Sequence, residues 1–208
     1  MVGGDLIAAV LEENPRTMKI SRRFDDGKLA GRSLDAHLDD YIDAYADRVR
    51  GWLLDWAIEL NKHEHAGFAA VLLILAFFEG FAVFYYGEDS DRKLRRVFAH
   101  GLRLVFPQLN GIKKKQADSI ADRLYKLGRC GLFHLGMARP GVVLADGDYE
   151  FRVKFNGKDE ASAIYIDRHK FVRAVCARFE QYVGELRDPS NSERRRHFKT
   201  AWQIVHRQ

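Results

Sequence analysis

Cysteine and proline are both scarce in this 208-residue chain, which has two of the first and four of the second. Cys130 and Cys176 lie 46 positions apart, with neither metal-ligand spacing nor a disulfide framework, so a reducing, cytoplasmic setting is expected. There is no phosphate-cradling glycine loop, no dinucleotide fingerprint and no paired-cysteine zinc pattern, so nucleotide-dependent and zinc-finger classes are not indicated. The opening Met1-Val-Gly-Gly-Asp-Leu6 lacks a basic stretch followed by an apolar one, and no export signal is expected. Internal repeats and low-complexity tracts are missing as well.

What is present suits one sizeable core with appendages. Apolar residues make up 47% and aromatics 12%, which excludes global disorder. Lys and Arg number 34 against 29 acids, a formal charge of +5 that suits an anionic partner. Residues 1–32 read as an arm, with a short helix at Asp5–Glu12. Ser33 is placed to cap a long helix whose apolar stripe runs through Leu38, Tyr41, Ile42, Tyr45, Val49, Trp52, Leu53, Trp56 and Leu60.

Residues 66–86 carry a single charge, Glu79, and are long enough to cross a bilayer. A carboxylate inside lipid costs about 3 kcal/mol, and the neighbouring amphipathic helices need an apolar surface to cover. A central core helix is therefore preferred to a membrane span, and buried Glu79 then calls for a basic partner or a wet cleft. A third helix runs from about Ser90 to Phe106 and a fourth from about Lys113 to Leu135. Lys113, Lys114 and Lys115 open the fourth against its dipole, and they are either solvated or kept for an anion.

Beyond Pro140 the period changes to that of strands, at 142–144, 149–155 and 163–166, read as a small antiparallel meander spanning about 141–167. Asp167 is placed to cap a helix reaching to Leu186, within which Cys176 reads as core. Residues 189–208 form a basic helix carrying Arg194, Arg195 and Arg196, with Phe198, Trp202 and Val205 on one face. The main domain is thus expected at 33–188.

Chemistry concentrates at Tyr125–Met137. There Arg129 offers a permanently charged fork for phosphate oxygens, and His134 a group able to take and give a proton near neutral pH. Five positions on an ideal helix separate them by about 140°, so the helix must bend or end between them, or a two-fold axis must pair two chains. Gly128 and Gly131 allow a bend. A Cys-His protease pair of Cys130 and His134 lacks a third group, and His63-Glu64-His65 lacks a fourth metal ligand, so no metal or cofactor is expected.

Arg129-Cys-Gly-Leu-Phe-His134, late in a mostly helical domain whose apolar second helix bears a lone Glu, resembles the HEPN superfamily, with its Arg-x4–6-His signature. The resemblance covers roughly residues 34–137 and implies a mainly α, HEPN-like bundle of four to five helices. It further implies a homodimer that cleaves RNA without metal at a shared cleft, in toxin or defence systems, with an antitoxin or nucleotidyltransferase as partner. Arg129 and His134 would be catalytic, Glu79 and Cys130 supporting, and Lys113–Lys115 and Arg194–Arg196 would contact RNA. Active members tend to carry a good hydrogen-bonding residue after the Arg, where this chain has Cys130. The alternative is therefore a catalytically inactive HEPN-like dimer that binds RNA or a partner protein.

Overall fold

The computed structural model describes residues 20–29, 31–89, 93–131 and 140–206. The helix expected at Asp5–Glu12, the third helix's start at Ser90 and His134 itself lie outside the described residues. The chain is mainly helical with one three-stranded sheet. After a single helical turn at Asp26–Leu29, α1 runs through Leu38–Val49, a π-helical segment Arg50–Leu54 and Asp55–Leu60. Then come α2 (Gly67–Tyr86), α3 (Leu94–Val105) and α4 (Lys114–Arg123), the last continuing as a π-helical segment Leu124–Arg129. β1 (Val142–Leu144), β2 (Phe151–Phe155) and β3 (Ala161–Ile166) precede α5 (Arg168–Arg187) and α6 (Ser192–Val205).

Helix α2 is the hub, with α1, α3, α5, α6 and the end of α4 packed around it. It is the one described helix long and apolar enough to cross a bilayer, and 61% of its most apolar stretch is buried by these neighbours. Phe77, Phe78, Phe81 and Phe84 lie in the core with Tyr45, Phe98, Phe106, Phe171, Phe179, Tyr182 and Phe198. Burying so many rings contributes strongly to the apolar stabilisation, and their edge-to-face contacts, such as Phe78–Phe98 at 5.5 Å and 89°, add specificity. Helices α2 and α3 approach closely because Gly101 has no side chain: a Cβ there would lie 2.0 Å from the Phe78 carbonyl oxygen. Phe198 of α6 is fully buried in the same core, so this basic helix is docked rather than appended.

Three expectations are corrected. Helix α1 begins at Leu38, with no side-chain cap; Ser33 contributes only its carbonyl, accepting from the His37 N–H. Its second half is out of phase with the expected stripe, leaving Trp52 and Trp56 45% and 56% exposed while Leu54 and Ala57 are buried. The cause is the π segment, in which the Asp55 N–H donates to the Arg50 carbonyl five residues back. Arg22 takes the Gly51 carbonyl, donating from Nε at 3.0 Å and Nη2 at 2.8 Å, and its Nη2 also meets Asp55 at 2.7 Å. A side chain inserted at a helix carbonyl in this way favours a wider turn, and one added residue moves the buried positions from 53 and 56 to 54 and 57. Gly51 makes the insertion possible, since a Cβ there would stand 2.4 Å from Arg22 Nε.

The sheet is mixed rather than an antiparallel meander. Its order is β1-β3-β2, with β1 parallel to β3 and β2 antiparallel to it. Strand β3 takes the centre because Ala161, Ile164 and Ile166 are all buried, whereas β2 alternates half-buried Phe151, Val153 and Phe155 with exposed Arg152 and Lys154, a pattern suited to an edge. Asp167 caps α5 as expected, accepting from the His169 and Lys170 N–H groups at 3.0 Å and from Gly147 N–H at 3.1 Å. Burial tends to raise its pKa, but these three backbone donors and the Lys170 charge together outweigh it and hold the carboxyl below its usual range.

Candidate functional site

Arg129 is the last residue of the π segment that extends α4, where the Cys130 N–H donates to the Tyr125 carbonyl. The wide turn sits against α2 at Gly128, where a Cβ would come within 2.8 Å of Leu75 Cδ1. From this position Arg129 reaches the middle of the hub helix. Its Nη2 donates to Glu79 Oε2 at 2.9 Å, with the two side chains 27% and 13% exposed. Glu79 thus has the basic partner that its burial demands.

The pair is only partly satisfied. Glu79 Oε1 and Arg129 Nε are both buried and, among the described residues, meet no hydrogen-bond partner. Burial raises the Glu79 pKa, and the Arg129 charge and hydrogen bond oppose that rise without cancelling it. The Tyr125 ring lies under the arginine, its centroid 5.4 Å from the guanidinium carbon, and Arg95 of α3 approaches the same ring at 5.9 Å. Burial and then the Glu79 charge raise the phenol's pKa. Among the described residues, one of the five N–H donors on the Arg129 fork serves Glu79 and holds the group in place. Cys130 follows, half-buried and with a free thiol.

The other expected cations are committed within the fold to differing degrees. Lys113 Nζ is 2.9 Å from Asp159 and Lys115 donates to the Lys158 carbonyl at 2.6 Å, so these two clasp the β2–β3 hairpin, while Lys114 pairs with Asp118 of its own helix. Arg194 lies 3.5 Å over the Tyr85 ring and donates to the Tyr85 carbonyl at 2.7 Å. Arg195 donates to the Leu186 carbonyl and to Asp39, while Arg196 is exposed. Lys115 lines a cleft between α4 and β3, and Lys114 one between α3 and α4. Among the described residues no group of three or more His, Cys, Asp and Glu side chains is arranged to hold a metal.

Sequence reasoning passed over Tyr125 and Arg95. The first is signalled by its spacing, four residues before Arg129 and hence on the same helical face. Cys176, expected in the core, is instead half-buried along a cleft of about 370 Å³ with Ile58, Asn61 and His169, and burial pushes its thiol up to about 11. No family model, curated protein or solved structure matches this chain.

Proposed function

We propose that this chain is a HEPN-type, metal-independent endoribonuclease that works as a homodimer in the cytoplasm, of the toxin or defence kind. The observation that supports this reading is the Glu79–Arg129 pair: an arginine kept at a half-open position by a buried carboxylate from the core helix, five residues before His134. In this chemistry His134 removes the proton of a ribose 2′-hydroxyl as that oxygen bonds to the adjacent phosphorus. The P–O5′ bond breaks, the leaving oxygen acquires a proton, and a 2′,3′-cyclic phosphate and a 5′-hydroxyl result. Arg129 stabilises the charge that builds on the non-bridging oxygens. The bundle of helices around α2 is compatible with this assignment.

A second reading, an inactive HEPN-like dimer that binds RNA or a partner protein such as an antitoxin or nucleotidyltransferase, is favoured by Cys130. A thiol directly after the arginine hydrogen-bonds weakly. One assay separates the two. End-labelled RNAs are incubated with wild-type protein and with His134→Ala in the presence of EDTA, and products are tested for a cyclic phosphate terminus. The endoribonuclease reading expects wild-type cleavage that falls by about 10²- to 10⁴-fold in His134→Ala with the fold retained. It is abandoned if wild-type protein leaves all RNAs intact or if the variant cleaves as fast.

A further inference from the structure

Helix α3 carries cations where a helix tolerates them least. Lys93 stands at its N-cap position, Arg95 and Arg96 lie in its first turn, and no acid is present there to offset the dipole. Lys93, Arg96, His100 and Arg103 follow at offsets of three, four and three, so they line one face over about 15 Å at 1.5 Å per residue. The chain spends stability on this run without using it up internally. Arg103 is paired with Asp118 at 2.6 Å and Arg95 only loosely with Asp122 at 3.6 Å, while exposed Lys93 and Arg96 meet no carboxylate among the described residues.

The run borders two adjoining clefts. One, of about 390 Å³, lies between α3 and α4 at Arg96, His100 and Arg103; the other, of about 590 Å³, extends past Lys93 to Tyr125. Tyr125, which lines the second cleft, is the ring over which Arg129 and Arg95 both lie, so that cleft is one side chain removed from the Arg129 pair. His100 registers the local potential: burial, then the charges of Arg96 and Arg103, hold its pKa below the usual histidine range, against a smaller opposing effect of Glu88.

We infer that the Lys93–Arg103 face of α3 is a track for the sugar-phosphate backbone of single-stranded RNA, delivering it past Tyr125 to Arg129. This rests on the nuclease reading for its destination, although not for its binding chemistry. Asp118 and Asp122 on α4 border the strip on one side and the Glu88 charge bears on His100, so acids flank the positive face of this one helix. A duplex would present two backbones to a surface that holds one. An acidic protein would want a larger apolar centre than this strip offers, with Leu94 exposed at one end and Tyr86 beside His100.

The test is fluorescence anisotropy with a labelled single-stranded oligoribonucleotide, using full-length protein in the His134→Ala background so that substrate persists. Lys93→Ser/Arg96→Ser is expected to weaken binding about tenfold at low salt. It should also flatten the slope of log affinity against log salt by about 1.4, two lost contacts at 0.7 each. Lys154→Ser, removing an exposed cation on β2, should change affinity less than twofold. The inference falls if the double variant binds like the parent, if Lys154→Ser loses as much, or if polyglutamate or duplex RNA competes as well as the single strand. If the track variants lose binding while no RNA is ever cleaved, the nuclease reading fails and the track stands. If cleavage is found but Lys93 and Arg96 prove dispensable, the reverse holds.

Discussion

Replacing Arg129 by Met keeps an unbranched apolar stem and removes the guanidinium with its charge, leaving Glu79 in the core helix with neither oxygen bonded among the described residues. Breaking a fully buried pair costs about 3–5 kcal/mol, and an exposed one about 0–1 kcal/mol. At 13% and 27% exposure the Glu79–Arg129 pair lies between, and its single charge-assisted bond of 2.9 Å suggests about 2 kcal/mol at neutral pH. For a chain of this size that is a fall in Tm of roughly 4–8 °C. The cost belongs to the stranded carboxylate, so Glu79→Gln combined with Arg129→Met should restore about half of it or more. The pH dependence has a definite sign. Burial already raises the Glu79 pKa, and losing Arg129 removes what opposes that rise. The folded variant then holds a proton that the unfolded chain releases, so its stability falls as pH rises from the ordinary glutamate value toward the raised one. Urea unfolding of wild type, both single variants and the double at pH 5 and pH 7.5 completes the cycle. A loss on Arg129→Met that is the same in the Glu79→Gln background, or larger at pH 5, would refute the account.

Gly101→Ala should prevent normal packing of α2 against α3, because the new methyl meets backbone at 2.0 Å. Gly128→Ala meets only the flexible end of Leu75 and should cost about 1–3 kcal/mol, both read by thermal unfolding. Asp167→Ala should remove about 1–2 kcal/mol as a lost helix cap. Because the folded Asp167 pKa is depressed, its contribution is complete above the unfolded aspartate value and disappears as pH falls through the folded one. The difference between wild type and variant in urea midpoint should therefore shrink in acid.

The helical class, the central place of α2 and the Asp167 cap were legible because each rests on local pattern: an apolar run with one charge, amphipathic neighbours, and an aspartate before a helical stripe. The Arg129 partner was half legible, since a buried Glu79 must find a cation but sequence cannot say which. The phase of Trp52 and Trp56 was not legible, because it depends on Arg22 reaching a carbonyl 29 residues away. The sheet order was hidden for a similar reason: the burial of Ala161, Ile164 and Ile166 in β3 is a tertiary fact, while hairpin signals report only on sequence neighbours. Of the candidate cations, the Lys113–Lys115 and Arg194–Arg196 runs stand out by adjacency. Those of α3 include the near-adjacent Lys93, Arg95 and Arg96, but the alignment of Lys93 and Arg96 with Arg103 along one face emerges only when the helix is wound.

The π segment of α1 means that this helix is written in two frames. Before Arg50 the inward positions count from Leu38 and Ile42; after Leu54 the count has slipped by one, with Ala57 and Asn61 buried. Converting Arg50–Leu54 to an ordinary α-turn at constant length would turn Trp52 and Trp56 toward space now filled by Leu54 and Ala57, whereas excising one residue there would merge the frames with Leu54 and Ala57 still inward. Losing the wide turn would thus be severe, whereas exchanging the tryptophans for polar residues would leave the core untouched. The width of this turn, more than the identity of the exposed rings, is what the fold constrains.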